Sequence, residues 1–209
     1  KWLGRQTVLL SADGVPYEGH FLPGVEQIVG EVDGEFDLVV AVDCADMSRL
    51  GRPAERIGST PILNVDHHAT NSRYGVYNIV DATMASTTQL ILRFAMCVGV
   101  PLSKDLATCI LAGLVGDTQG FRTANTDRRG VEDTFALMTA GADLCLANHS
   151  IVDSRPRGYL VLWGQVLSNV IVEDELAWAT IPLVVRRESG VADGDDAGIV
   201  NFLVGTKDT

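Results

Sequence analysis

Leu38-Val39-Val40-Ala41-Val42 is an unbroken apolar, largely β-branched run that ends in Asp43. A run of this length and composition predicts a strand covered on both faces, as in a parallel sheet. Pro61-Ile62-Leu63-Asn64-Val65 repeats the pattern and ends in Asp66, followed at once by His67 and His68. Thr7 to Leu10 forms a shorter apolar run that stops at the turn sequence Asp13-Gly14-Val15-Pro16. Met47 to Ile57 predicts a short helix, weakened by Gly51 and Pro53.

The centre of the chain reads as helical. Ser86-Thr87-Thr88-Gln89 has the form of a capping box, and Leu90, Ile91, Phe94 and Val98 follow at helical spacing until Gly99 and Pro101. Ser103 is placed to cap a helix whose apolar side is Leu106, Ile110 and Leu114 and which runs out near Gly116-Asp117. Thr126 is expected to begin the next, with Val131, Phe135 and Met138 on its apolar face and Gly141 as its stop. Pro156 is expected to open another, with Leu160, Trp163, Leu167 and Val170 on one side. After the charged break Glu173-Asp174-Glu175, Leu176 to Val185 reads as a strand. Gly190 to Gly198 reads as an acidic loop, and Ile199 to Val204 resumes an apolar pattern.

Strands alternating with helices imply an α/β fold with a mostly parallel sheet flanked by helices. The segment after Val172 is too short to bury a core of its own and predicts the beginning of a second, smaller α/β domain. The expected division is 1–153, a linker helix over 154–173, and 174–209. In a parallel sheet, ligands bind beyond the carboxyl ends of the strands. Asp43, His67 and Asp117 all stand at the ends of apolar elements and could converge there. Carboxylates brought together repel unless a cation joins them, and a mixed carboxylate–imidazole set suits Mn²⁺, Fe²⁺ or Zn²⁺ better than Ca²⁺. Against this stands the ordinary role of such residues. Asp46 is read as a helix cap, Asp81 as a turn residue, and His20 and His149 as structural or exposed.

Composition narrows the partners. The 209 residues carry 16 basic and 27 acidic side chains, a net of −11. An acidic surface argues against duplex DNA, while a small anionic substrate held through cations remains compatible. Cys44, Cys97, Cys109 and Cys145 form no C-x-x-C pair and are expected to be reduced thiols of a cytoplasmic protein. The longest uncharged stretch, Gly158 to Val172, is too short and too polar to span a bilayer. The sequence begins with Lys1 rather than Met, so a fragment is expected.

Val65-Asp66-His67-His68-Ala69-Thr70-Asn71 resembles the signature of the DHH phosphoesterase superfamily. Val42-Asp43-Cys44-Ala45-Asp46 resembles its second motif and Gly113 to Arg122 its fourth. Phe21-Leu22-Pro23-Gly24 and Asp153-Ser154-Arg155-Pro156 resemble segments of the nanoRNase and pAp phosphatase branch, which includes cyclic-dinucleotide phosphodiesterases.

The resemblance implies a phosphoesterase with two Mn²⁺ ions, Mg²⁺ or another divalent ion being an alternative. Its substrates would be short oligoribonucleotides, 3′-phosphoadenosine 5′-phosphate or a cyclic dinucleotide. Asp43 would bridge the ions, and His67 and Asp117 would bind one of them. His68 would face the substrate phosphate, Asp66 would orient the histidines, and Arg122 and Asn71 would contact phosphate. A homodimer is compatible with it, and no membrane is implied. The first family motif, which supplies one histidine and two aspartates, is not found, nor is the glycine-rich substrate motif of the second domain. Two readings follow: a fragment of such a hydrolase, inactive alone, or a non-catalytic nucleotide-binding or regulatory remnant of the fold. The fragment is favoured.

Overall fold

A computed structural model describes residues 4–174, 176–192 and 195–204. Glu175 of the expected charged break, the centre of the expected 190–198 loop and the last residues of the expected C-terminal domain lie outside them. The chain divides into two compact units, residues 1–154 and 155–209.

The first unit is built on short parallel strands. β1 (Leu9–Leu10) pairs with β2 (Ile28–Val29). β3 (Val39–Val42), β4 (Ile62–Asp66) and β5 (Tyr77–Val80) form a parallel sheet in that order. The register sets Val42 opposite Val65 and Asp66 opposite Val80. The chain between β3 and β4 is a 3₁₀ turn over Met47–Leu50 and then α1 (Ala54–Ile57), split at Gly51, whose φ is +62°. The expected helix over 47–57 is therefore two pieces, because Pro53 and a left-handed glycine interrupt it.

β4 is the central strand and is buried as expected, with Ile62, Asn64, Val65 and Asp66 all buried. β3 is not. It lies at the sheet edge, and Val40 and Val42 are 52% and 49% exposed. Its apolar run marks a strand, but among the described residues only one face is covered.

Three helices carry the core of this unit: α2 (Thr87–Cys97), α3 (Lys104–Asp117) and α4 (Arg128–Thr139). Leu92, Ile110, Leu111, Val115 and Leu137 pack together in it. α3 is buried over most of its length because its residues are small or apolar on nearly all sides. α4 departs from expectation. It is capped by Asp127 rather than begun by Thr126, and it buries Gly130, Asp133, Thr134 and Leu137. Val131, Phe135 and Met138 are exposed, Phe135 by 75%. The buried Asp133 explains the inversion: it receives hydrogen bonds from Gln89 and Arg93 on α2, which turn the polar side of α4 inward. α5 (Leu144–Asn148) continues into a π-helical turn over His149–Asp153. Neither was foreseen, nor were β2 and β5.

The second unit begins with α6 (Arg157–Leu167), preceded by Pro156. Leu162 and Val166 pack with Val185, Val191, Ala197 and Ile199, so this helix belongs to the core of that unit. Leu160, expected on its buried side, is exposed, while Trp163 and Leu167 are partly buried against that core. β6 (Ile171–Glu173) pairs antiparallel with β7 (Leu176–Trp178). The strand expected to reach Val185 ends at Trp178, and α7 (Leu183–Ser189) follows after Pro182. α8 (Val200–Val204) closes the described chain. No single helix among the described residues is long and apolar enough to cross a membrane. All four cysteines are free.

Candidate metal centre

The carboxyl ends of β3 and β4 lie side by side because the two strands are parallel and in register. Asp43 leaves β3 with its N–H still bonded to the Val65 carbonyl at 3.0 Å and its φ at +58°. That left-handed conformation is one that Asp tolerates better than most residues, and it is found where a side chain must be aimed. Asp66 ends β4 and is fully buried. His67 and His68 follow on the turn beyond it. Asp117 is the last residue of α3.

These groups meet. His67 Nε2 lies 3.7 Å from Asp43 Oδ1 and 3.6 Å from Asp117 Oδ2, and His68 Nδ1 lies 3.8 Å from Asp43 Oδ1. Asp43, His67 and His68 each offer a ligand atom within 4.8 Å of the others. Ligand atoms about 2.1 Å from one cation stand roughly 3–3.5 Å apart, so small side-chain adjustments close this set on an ion. The donor chemistry, carboxylate and imidazole with no thiolate, fits Mn²⁺, Fe²⁺ or Zn²⁺.

The surroundings fix how each ring is used. His67 Nδ1 lies 3.2 Å from the Met84 carbonyl. A carbonyl only accepts, so Nδ1 is the donor in this contact, and Nε2 is the nitrogen aimed at Asp43 and Asp117 that a cation would use. His68 Nδ1 donates to Asp66 Oδ1 at 2.7 Å. Burial would raise the Asp66 carboxyl. Hydrogen bonds from Asn71 and His68 outweigh it and hold the group below the ordinary carboxylate range, so Asp66 is the charged acceptor that orients His68.

Asp117 behaves in the opposite way. Burial, and then the charge of Asp43, push its carboxyl above the ordinary value, while His67 and His68 offset part of the rise. A partly desolvated carboxylate crowded by a second carboxylate is the electrostatic condition that a cation relieves.

The sequence placed Asp43, His67, His68, Asp66 and Asp117 in one site, and the structure brings all five to one place. Asn71 and Arg122 were expected at the substrate phosphate. Asn71 is not free for it. Both amide hydrogens of Asn71 are engaged, one by Asp66 Oδ2 at 2.5 Å and one by the Cys44 carbonyl at 3.2 Å. Its Oδ1 accepts from Asn64 and from the Arg73 N–H. Asn71 is a brace beneath Asp66, and the reason is burial next to a carboxylate that needs a donor. Arg122 is exposed, and its Nε donates to the Gln119 carbonyl at 2.7 Å, a bond within its own turn. Asp46 accepts from the Ser48 N–H and Asp81 from the Thr83 N–H, each a local cap.

Two contributors escaped the sequence reading. Thr87 donates its hydroxyl to Asp43 Oδ1 at 2.6 Å. Gly113 lies against Thr88, where an added Cβ would be 2.3 Å from Thr88 Cγ2. The small residue one turn before Asp117 was the available signal for the second.

The chain is 33% identical over 172 residues to the bifunctional oligoribonuclease and PAP phosphatase NrnA of Thermus thermophilus, covering 80% of this chain and 51% of that protein. It is 32% identical over 174 residues to the probable bifunctional oligoribonuclease and PAP phosphatase NrnA of Streptococcus mutans, covering 83% of this chain and 56% of that protein. The chain thus spans about half the length of the curated relatives it matches. Its fold is that of an exopolyphosphatase-related protein from Bacteroides fragilis, with a TM-score of 0.81 over 92% of this chain and 61% of that one, at 22% identity. No protein-family model matches.

Proposed function

We infer that this chain, a homologue of the DHH-type bifunctional oligoribonuclease and PAP phosphatases, comes from a divalent-cation-dependent phosphoester hydrolase. In this reading it acts on short oligoribonucleotides or 3′-phosphoadenosine 5′-phosphate. Residues 1–153 are the phosphoesterase domain without its first motif; the helix expected to link it packs into the core of the second unit, so residues 155–209 together are part of the associated domain. The meeting of His67 Nε2 with the carboxylates of Asp43 and Asp117 carries the reading. Two carboxylates brought within 4 Å of one imidazole nitrogen are a donor set that a divalent cation would join.

Asp43, His67 and Asp117 would hold divalent cations such as Mn²⁺. Such ions, when bound, supply a hydroxide near neutral pH and neutralise the phosphoryl oxygens. The protein's own groups do the rest. Met84 keeps the His67 lone pair outward. Asp66 accepts the Nδ1–H of His68, which turns His68 Nε2 toward the phosphate; only a ring carrying a second proton, on Nε2, would give one to the leaving oxygen, with the Asp66 carboxylate balancing its charge. Asn71 keeps Asp66 ionised and in place.

The test is a substrate panel of di- to pentaribonucleotides, 3′-phosphoadenosine 5′-phosphate and cyclic di-AMP, run on the full-length protein with Mn²⁺, with Mg²⁺ and with chelator. Manganese-dependent release of nucleotide or phosphate is expected, lost at least about 100-fold in Asp43→Asn, which keeps the left-handed backbone and weakens the ligand. Turnover that survives chelation, or wild-type turnover by Asp43→Asn, overturns it.

A further inference from the structure

We propose that Thr87 is a positioning residue for Asp43, a role that rests on the reading of Asp43 as a metal ligand. Asp43 stands beyond the last residue of an edge strand, and its carboxylate is about half exposed. A short carboxylate in that setting can rotate. The Thr87 hydroxyl stops it with a 2.6 Å hydrogen bond to Oδ1.

Thr87 suits this task for reasons of local structure. It is the first residue of α2 and is 5% exposed. The cap of α2 is already provided by Ser86, whose Oγ accepts the Gln89 N–H, so the Thr87 hydroxyl has no part in ending the helix. Its β-branched side chain is stiff about χ1. The turn that carries it is held firmly. The Gln89 carboxamide accepts the Ala85 N–H and donates to Asp133 on α4, both within 2.8 Å. This differs from a standard capping box, in which the Gln would reach back to the cap residue itself. The displaced carboxamide bond pins residue 85 instead.

The same turn holds a second ligand, since the Met84 carbonyl accepts from His67 Nδ1. Residues 84–87 therefore touch both Asp43, from β3, and His67, from beyond β4. The start of α2 sets the spacing between two groups that no strand pairing alone would fix. Outer hydrogen bonds of this kind change metal affinity about 10–100-fold when removed.

The experiment is a calorimetric Mn²⁺ titration of the full-length protein with wild-type sequence and of its Thr87→Val and Thr87→Ser variants, with thermal unfolding of each without metal. Thr87→Val is expected to weaken Mn²⁺ binding about 10–100-fold, while Thr87→Ser, which keeps the hydroxyl, stays within about threefold of wild type. A purely structural role would lower the unfolding temperature of the variants and leave their Mn²⁺ affinity unchanged. Wild-type affinity in a folded Thr87→Val overturns the proposal and leaves the metal centre standing. Should Thr87→Val not fold, Thr87→Ala replaces it, and equal affinities of Thr87→Ala and Thr87→Ser overturn the proposal. No Mn²⁺ binding by the wild-type full-length protein would overturn the metal centre itself, and this role with it.

Discussion

Tyr74 buries its hydroxyl oxygen without a hydrogen-bond partner, close to the metal centre. Burial, and then the negative charges of Cys44, Asp66 and Asp46, push its pKa up to about 12. The unfolded value is about 10. The folded state therefore keeps its proton to higher pH than the unfolded state. Its share of stability is fully present below about pH 10 and is lost as pH rises through the folded value. Tyr74→Phe removes this pH dependence, because it deletes the titrating group. The variant is expected to be neutral or about 1 kcal/mol more stable at pH 7, since a buried unpaired hydroxyl costs about 1–3 kcal/mol. Urea unfolding at neutral pH and at two alkaline points above the unfolded value checks both statements: the gap between variant and wild type should widen at the alkaline end.

At the scale of elements, α3 must pass close to α2 for Asp117 to reach His67. Gly113 allows that approach, one turn before Asp117 on the same side of the helix. Gly113→Ala is expected to cost about 1–3 kcal/mol through overpacking and to weaken Mn²⁺ binding, because the helix end moves with the helix. Gly164 on α6 has nothing within 4 Å of an added Cβ. Gly164→Ala is expected to stabilise by about 0.5–1 kcal/mol and to leave Mn²⁺ binding alone. Denaturant melts and titrations of the two variants test the contrast.

Elements with a local cause were legible in the sequence. The ends of β3 and β4, the Ser86 and Ser103 caps and the run of α3 all follow from apolar runs and capping residues. The meeting of Asp43 with His67 was legible because parallel strands deliver their ends to one edge. Two kinds of fact were not. β2 and β5 are short and lean on neighbours far along the chain. The inward face of α4 is set by Asp133 meeting Gln89 and Arg93, so periodicity in α4 alone pointed to the wrong side. The bracing by Asn71 and the bond from Thr87 escaped for the same reason: each is assigned by a partner distant in sequence or by the burial around it.

At the scale of the whole molecule, the candidate metal centre lies within residues 1–154, and residues 155–209 form a separate compact unit. Binding a cation to the folded state alone stabilises that state by mass action, about 2.7 kcal/mol at one hundred times the dissociation constant. The gain should appear only in the first unit. Hydrogen exchange with and without Mn²⁺ is expected to slow amides of β3, β4, α2 and α3, with α6 and α7 unchanged. Equal protection of both units would mean that the cation binds elsewhere or that the units unfold as one.

The left-handed turn at Asp43, the hydrogen bond that reaches it from Thr87 and the approach of His67 join parts of the chain made at different times during synthesis. A ribosome-bound chain that has emerged only just past β4 already holds Asp43, His67 and His68, yet lacks the turn at 84–87 that spaces them and the helix that brings Asp117. Affinity for the ion would then arrive late and abruptly, so that cation uptake by emerging chains serves as a clock for the moment the tertiary structure closes.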